Sequence, residues 1–94
     1  MMFSPDLRQK VADGEVTVSI RLWQRAKVKP GGRYASHGFD VVVDSVELVP
    51  FSAVTDDDIA RSGDPDRETL RERAAHAGPI HDDTLVYRIE FHVG

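Results

Sequence analysis

The chain contains no cysteine. That excludes disulfides and thiolate metal sites, and it suits a reducing compartment. Long hydrophobic runs are also missing: the apolar stretches are as short as Val41-Val42-Val43, against the roughly 18 residues of a membrane span. The start, Met1-Met2-Phe3-Ser4-Pro5-Asp6, lacks the basic residues and apolar stretch of a secretory signal, so a cytoplasmic location with no membrane partner is expected. There is no internal repeat and no low-complexity segment. Positive charge is in deficit, with 12 Lys and Arg against 16 Asp and Glu and a net charge of −4. This excludes indiscriminate attraction to nucleic acid or an anionic membrane. What remains is a chain of 94 residues, expected to form one domain over 1–94 and to bury roughly two-thirds of its unfolded surface around one core.

The charge is unevenly placed. From Arg21 to Arg33 there are five bases (Arg21, Arg25, Lys27, Lys29 and Arg33) and no acid. From Thr55 to Glu72 there are seven acids against three arginines. An acidic total therefore hides one basic segment able to meet phosphate. The histidines His37, His76, His81 and His92 show neither the i, i+4 helical spacing nor the His-x-His strand spacing of metal ligands, and His81-Asp82-Asp83 reads as a solvated loop. Neither a metal nor a cofactor is expected.

Ser4, Pro5 and Gly14 predict a first helix with cap, first turn and stop. Residues 16–22 alternate with period two: Val16, Val18, Ile20 and Leu22 on one side, Thr17, Ser19 and Arg21 on the other. Lys29-Pro30-Gly31-Gly32 is a turn, and residues 33–36 and 39–49 predict two strands joined at His37-Gly38. Alternation slips at Asp44-Ser45, which predicts a bulge or a curled strand. Thr55 with its following acids opens a second helix that Gly63 ends. Asp64 and Pro65 are expected to cap and start a third, which Gly78-Pro79 terminates. Residues 85–93 alternate strongly as a last strand. Gly31-Gly32 is too little for a phosphate loop.

At the first strand, Gly14-Glu15-Val16-Thr17-Val18-Ser19-Ile20-Arg21 resembles the glycine-lysine-threonine-strand-arginine signature of the ASCH family, within the PUA-like group. A short helix precedes the glycine. Lys29-Pro30-Gly31-Gly32-Arg33-Tyr34 stands where that family turns into its second strand, and Val86-Tyr87-Arg88-Ile89-Glu90-Phe91 is similar to its closing strand. The resemblance runs from about residue 7 to residue 93 and rests on the order of these short motifs. It implies an α+β fold: a small curved or closed PUA-like β-barrel with about three short helices, two of them in an insertion before the last strand. A cleft between barrel and insertion is implied with it. So is RNA binding; some small bacterial members are amidohydrolases that deacylate N4-acetylcytidine, and a ribonuclease activity has been attributed to others. The amidohydrolase pattern joins a lysine, a hydroxyl and a glutamate. Carried over, the hydroxyl is Ser19 and the glutamate position falls near Asp64, which makes these two the catalytic candidates. The lysine position is Val16, which takes no proton and weighs against hydrolysis.

The leading expectation is RNA, or a nucleoside or nucleotide unit of it, bound beside the first strand. Arg21 would contact phosphate or a base edge, Thr17 and Ser19 would add hydrogen bonds, and Trp23 would stack a base. Arg25, Lys27, Lys29 and Arg33 would attract the backbone. Other roles stay open. Arg21 would instead pair with Glu90, and Trp23 would belong to the core. A hydrolase would need Lys10, Lys27, Lys29 or His92 as substitute base for Ser19, and a protein-interaction module would use the basic segment to dock an acidic partner.

Overall fold

The structure, a computed structural model, describes all 94 residues apart from the side chain of His76. Helix α1 (Pro5–Ala12) starts with Pro at its first turn and ends where Gly14 takes φ 81°. Its Leu7 and Val11, four apart and so on one face, are buried. Strand β1 (Val18–Arg21) is shorter than the alternating run. Val16 packs with Leu7 and Val11, whereas Val18 and Ile20 join a different cluster. The alternation is therefore broken at Thr17, whose N–H donates to the Arg61 carbonyl at 2.9 Å.

Strands β2 (Arg33–Ala35) and β3 (Asp40–Pro50) form the expected hairpin, with Gly38 at φ 88° in the turn. The predicted slip is a register shift between Val43 and Ser45 against β4 (Leu85–Val93). Between β3 and β4 lie a 3₁₀ turn (Phe51–Ala53), helix α2 (Asp56–Arg61) and helix α3 (Arg67–Ala74), which runs into a further 3₁₀ turn. Thr55 and Asp58 close a reciprocal capping box on α2. The cap of α3 is Asp66, which accepts from the Thr69 N–H at 2.8 Å. Asp64, expected there, is two residues too early and its carboxylate is used elsewhere.

The four strands are antiparallel in the order β1-β4-β3-β2. β1 and β2 are both edges and do not pair, so the sheet is open and not strongly curled. This corrects the expected curved or closed β-barrel. The physical reason is that β1 and β2 end up at opposite edges and form no ladder with each other, while each face buries its core under a helical layer instead. On one face, Phe3, Leu7 and Val11 pack on Val41, Val43, Ile89 and Phe91, with the Phe3 and Phe91 rings 5.5 Å apart. On the other, Val18, Ile20 and Val86 meet Phe51, Val54, Ile59, Leu70, Ala74 and Ile80 of the helical insertion.

Polar pairs dock α2 on β4. Arg88 Nε donates to Asp58 Oδ1 at 2.9 Å, and Arg61 Nη2 to Glu90 Oε1 at 2.6 Å. The Arg61 hydrogen bond holds the Glu90 carboxyl below its ordinary range against some desolvation. Its bond to Asp58 raises Arg88. No described helix is long and apolar enough to cross a membrane.

Candidate functional site

Beside β1 the two helical layers are bridged by the Arg73–Asp6 ion pair, and a cavity of about 300 Å³ remains between them. Met2, Phe3, Ser4 and Leu7 form one wall; Ser62, Asp64, Leu70, Arg73 and Ala74 form the other. Its floor is the strand itself, from Val16 through Val18, Ser19 and Ile20 to Arg21. Largely apolar walls with a few convergent polar groups, at this size, are the usual make-up of a small-ligand site.

Arg21 is the central polar group. Its Nε donates to Ser19 Oγ at 2.7 Å and its Nη2 to the Met2 carbonyl at 2.6 Å. The guanidinium lies 5.3 Å over the Phe3 ring. Burial lowers its pKa, and an arginine guanidinium keeps its charge in proteins. Nη1 has no hydrogen-bond partner among the described residues, so the fork keeps donors for a ligand. Facing it across the cavity, the Asp64 carboxylate is wholly buried. It accepts from Arg73 Nε at 2.9 Å and from the Ser62 hydroxyl at 3.3 Å.

Three expected site residues, Ser19, Arg21 and Asp64, therefore line one cavity. Thr17 does not join them: its hydroxyl accepts from Arg61 Nε at 3.0 Å, within the network that docks α2. Glu90 serves Arg61 and Arg88, so the alternative Arg21–Glu90 pair does not form. Trp23, Arg25 and Lys27 line a second, open hollow with Leu22, Gln24 and Ala77. Lys29 is exposed in the segment between β1 and β2. Arg33 sits on the opposite edge strand, 3.5 Å from Asp40. Neither reaches the cavity. Among the described residues, Arg25, Lys27 and Lys29 enter no ion pair.

None of the substitute bases touches Ser19. His92 Nδ1 is bonded to Asp44 at 2.9 Å and Lys27 Nζ lies 5.9 Å over the Trp23 ring. Val16, at the lysine position of the amidohydrolase pattern, is buried against α1. Among the described residues no three His, Cys, Asp or Glu side chains are grouped to hold a metal. Sequence reasoning missed Arg73, which fixes Asp64 and also Asp6 of α1 at 2.9 Å. Its spacing of three from Leu70 was the available signal, since that places both on one helix face.

Fold and site together define an open antiparallel α+β domain with a ligand-sized cavity at an edge strand. No family model matches the sequence, and no curated protein matches it. Three solved structures share its fold. One is an ASCH domain from Lactobacillus crispatus JV V101, with a TM-score of 0.73 at 18% identity, covering 90% of this chain and 68% of that one. Another is protein EF3133 from Enterococcus faecalis V583, of family DUF984, with a TM-score of 0.76 at 17% identity over 95% of this chain and 67% of that one. The third, hypothetical protein PH0355, gives 0.73 at 17% identity over 100% of this chain and 96% of its own. The chain thus shares its fold with a solved ASCH domain, which agrees in part with the resemblance read from its motifs.

Proposed function

We propose that the chain acts as one domain of the ASCH type that binds RNA, holding a nucleotide unit in the cavity beside β1. The observation that carries this reading is the position of Arg21. It lines the cavity with Ser19 and Asp64, and its guanidinium also lies 6.0 Å from the ring of Trp23, which borders the second hollow with Arg25 and Lys27. One guanidinium thus joins a pocket fit for a base or phosphate to an aromatic face flanked by cations without acidic partners. Bases stack on such rings, and phosphates follow such cations. Lys29 and Arg33 add long-range attraction.

Fluorescence anisotropy with labelled short single-stranded RNA at two salt concentrations tests the proposal. With three to five phosphates contacted, log K should fall against log salt with a slope of about −2 to −3.5. Arg21→Ala should weaken binding, and an absence of binding at low salt would remove the RNA reading.

A second reading, hydrolysis of an acylated nucleoside such as N4-acetylcytidine, is favoured by one observation: Ser19 and Asp64 line the same cavity. A serine nucleophile needs a base to take its proton, and the side chain bonded to Ser19 Oγ is Arg21, a donor. Acetate release from the modified nucleoside would establish this reading over simple binding.

A further inference from the structure

Arg21, Tyr87 and Leu48 stand opposite one another across three adjacent strands, Arg21 paired with Tyr87 and Tyr87 with Leu48. Directly paired residues project from the same face of a sheet, so this row runs inward from the edge beside the cavity. It lies on the face that α1 covers: Trp23 and Tyr87 pack, partly buried, against the cluster under α1, while Leu48 lies outside it. Leu48 is 52% exposed, and Leu85, two residues before Tyr87 and on the same face, is 54% exposed. Trp23, just beyond β1, brings its ring to 5.9 Å from that of Tyr87 with the planes inclined at 43°. Two cations, Arg21 and Lys27, lie 6.0 and 5.9 Å from the Trp23 ring.

The row keeps a solvent-facing side, partial at Trp23 and Tyr87 and larger at Leu48, next to two cations. An apolar protein segment would bury Leu48 and Leu85 but give Lys27 no counter-charge. A single strand of RNA supplies both: flat bases for Trp23 and Tyr87, and phosphates for the cations. We infer that the row from Trp23 over Tyr87 to Leu48 is a stacking platform for the nucleotides adjoining the one held in the cavity. The ligand is then a single-stranded RNA segment that spans cavity and platform, and Arg21 is the residue common to both. This rests on the RNA reading proposed above.

The test uses the whole chain and two kinds of probe: each of the four ribonucleoside monophosphates, and a mixed-sequence single-stranded RNA of about six nucleotides. Trp23 is the single tryptophan, so its fluorescence reports the platform directly. The oligomer should bind more tightly than any monophosphate and quench Trp23. Tyr87→Ala should weaken the oligomer by roughly 5- to 150-fold, as expected for one stacked base, and leave monophosphate binding unchanged. Tyr87→Phe should retain the affinity. Leu48→Ala, at an exposed position, should weaken the oligomer a few-fold and decides the matter if Tyr87→Ala does not fold. Equal affinity for oligomer and monophosphate, indifferent to these changes, would overturn the platform and leave the cavity reading standing. Oligomer binding that depends on Tyr87 but not on Arg21, with no monophosphate bound, would keep the platform and overturn the cavity. No RNA binding, together with self-association that Leu48→Asp abolishes, would make the surface an interface between copies and overturn both, as would no RNA binding alone.

Discussion

Arg73 Nε meets Asp64 Oδ1 at 2.9 Å while its two terminal nitrogens hold the carboxylate of Asp6, at 3.1 and 2.9 Å. One guanidinium of α3 therefore satisfies a carboxylate with no exposed surface and ties that helix to α1 across the cavity mouth. The bond to Asp6 is the main reason the Arg73 pKa is raised.

Removing Arg73 should hurt more than removing the charge it faces. Arg73→Ala leaves Asp64 buried and without its cation, which should cost about 3 kcal/mol of stability, the lower end for a broken buried pair because Arg73 retains some exposure. Asp64→Asn, which still accepts from Ser62 and Arg73, should cost about 1 kcal/mol. Urea denaturation of both variants checks the order, and equal losses would contradict it.

Ser19 is held by Arg21 and serves in turn to aim it. Ser19→Ala should weaken RNA binding by about 1 kcal/mol. Arg21→Lys should weaken it further, because an ammonium cannot bond Ser19, Met2 and a ligand in one plane. Titrations of the two variants compare them, and a Ser19→Ala protein that binds RNA unchanged would show that the hydroxyl positions nothing.

Much of this was legible in the residues, and the exceptions have identifiable causes. The limits of β4 and the register shift at Val43–Ser45 follow from strict alternation and its single lapse. The barrel did not survive because closure depends on whether β1 and β2 meet, a long-range matter on which local periodicity is silent. Thr17 was grouped with Ser19 by parity, but an N–H bond to the Arg61 carbonyl breaks that parity. Asp64 reads as the cap of α3 because Pro65 follows it, but its carboxylate is buried against Arg73 and Asp66 caps the helix. Ser19, Arg21 and Asp64, the candidates that motif order offers, share the lining of one cavity. The Arg21–Tyr87–Leu48 row needed the strand register, since Tyr87 alternates with Ile89 and Phe91 and reads as core.

Gly63 joins α2 to α3 with φ 85°, and a Cβ there would stand 2.8 Å from both Leu7 Cδ2 and Val16 Cγ2. Gly63→Ala combines a left-handed backbone with a collision inside the core, so a loss of about 2 kcal/mol or more is expected. Thermal melting measures it; an unchanged midpoint would mean that α1 shifts freely against the α2–α3 junction.

The ion pairs that dock α2 predict an acid limb. The Arg61 bond is the main cause lowering Glu90 from its ordinary 4.5; for Asp58, burial acts upward but Arg88 and the Thr55 N–H bring it below 3.8. Near these values the unfolded chain binds more protons than the folded one, so stability rises with pH there. The contribution is complete above about pH 5 and is lost as pH falls through the lowered folded values. Glu90→Gln should flatten part of this limb in urea midpoints taken from neutral to acid pH. Parallel curves for variant and parent would exclude the pair as a source of it.

The placement of β4 bears on how the molecule assembles. The last strand in chain order is an inner strand of the sheet, and its pairing of Val18 with Glu90 joins the two ends of the sequence. Until residues 85–93 leave the ribosome, β1 has no neighbour and β3 only the short β2. The cavity floor is therefore created by the final long-range closure, after the helices and the β2–β3 hairpin have had time to form locally. Folding of the sheet thus waits on a pairing of long sequence separation, the kind of contact that slows folding.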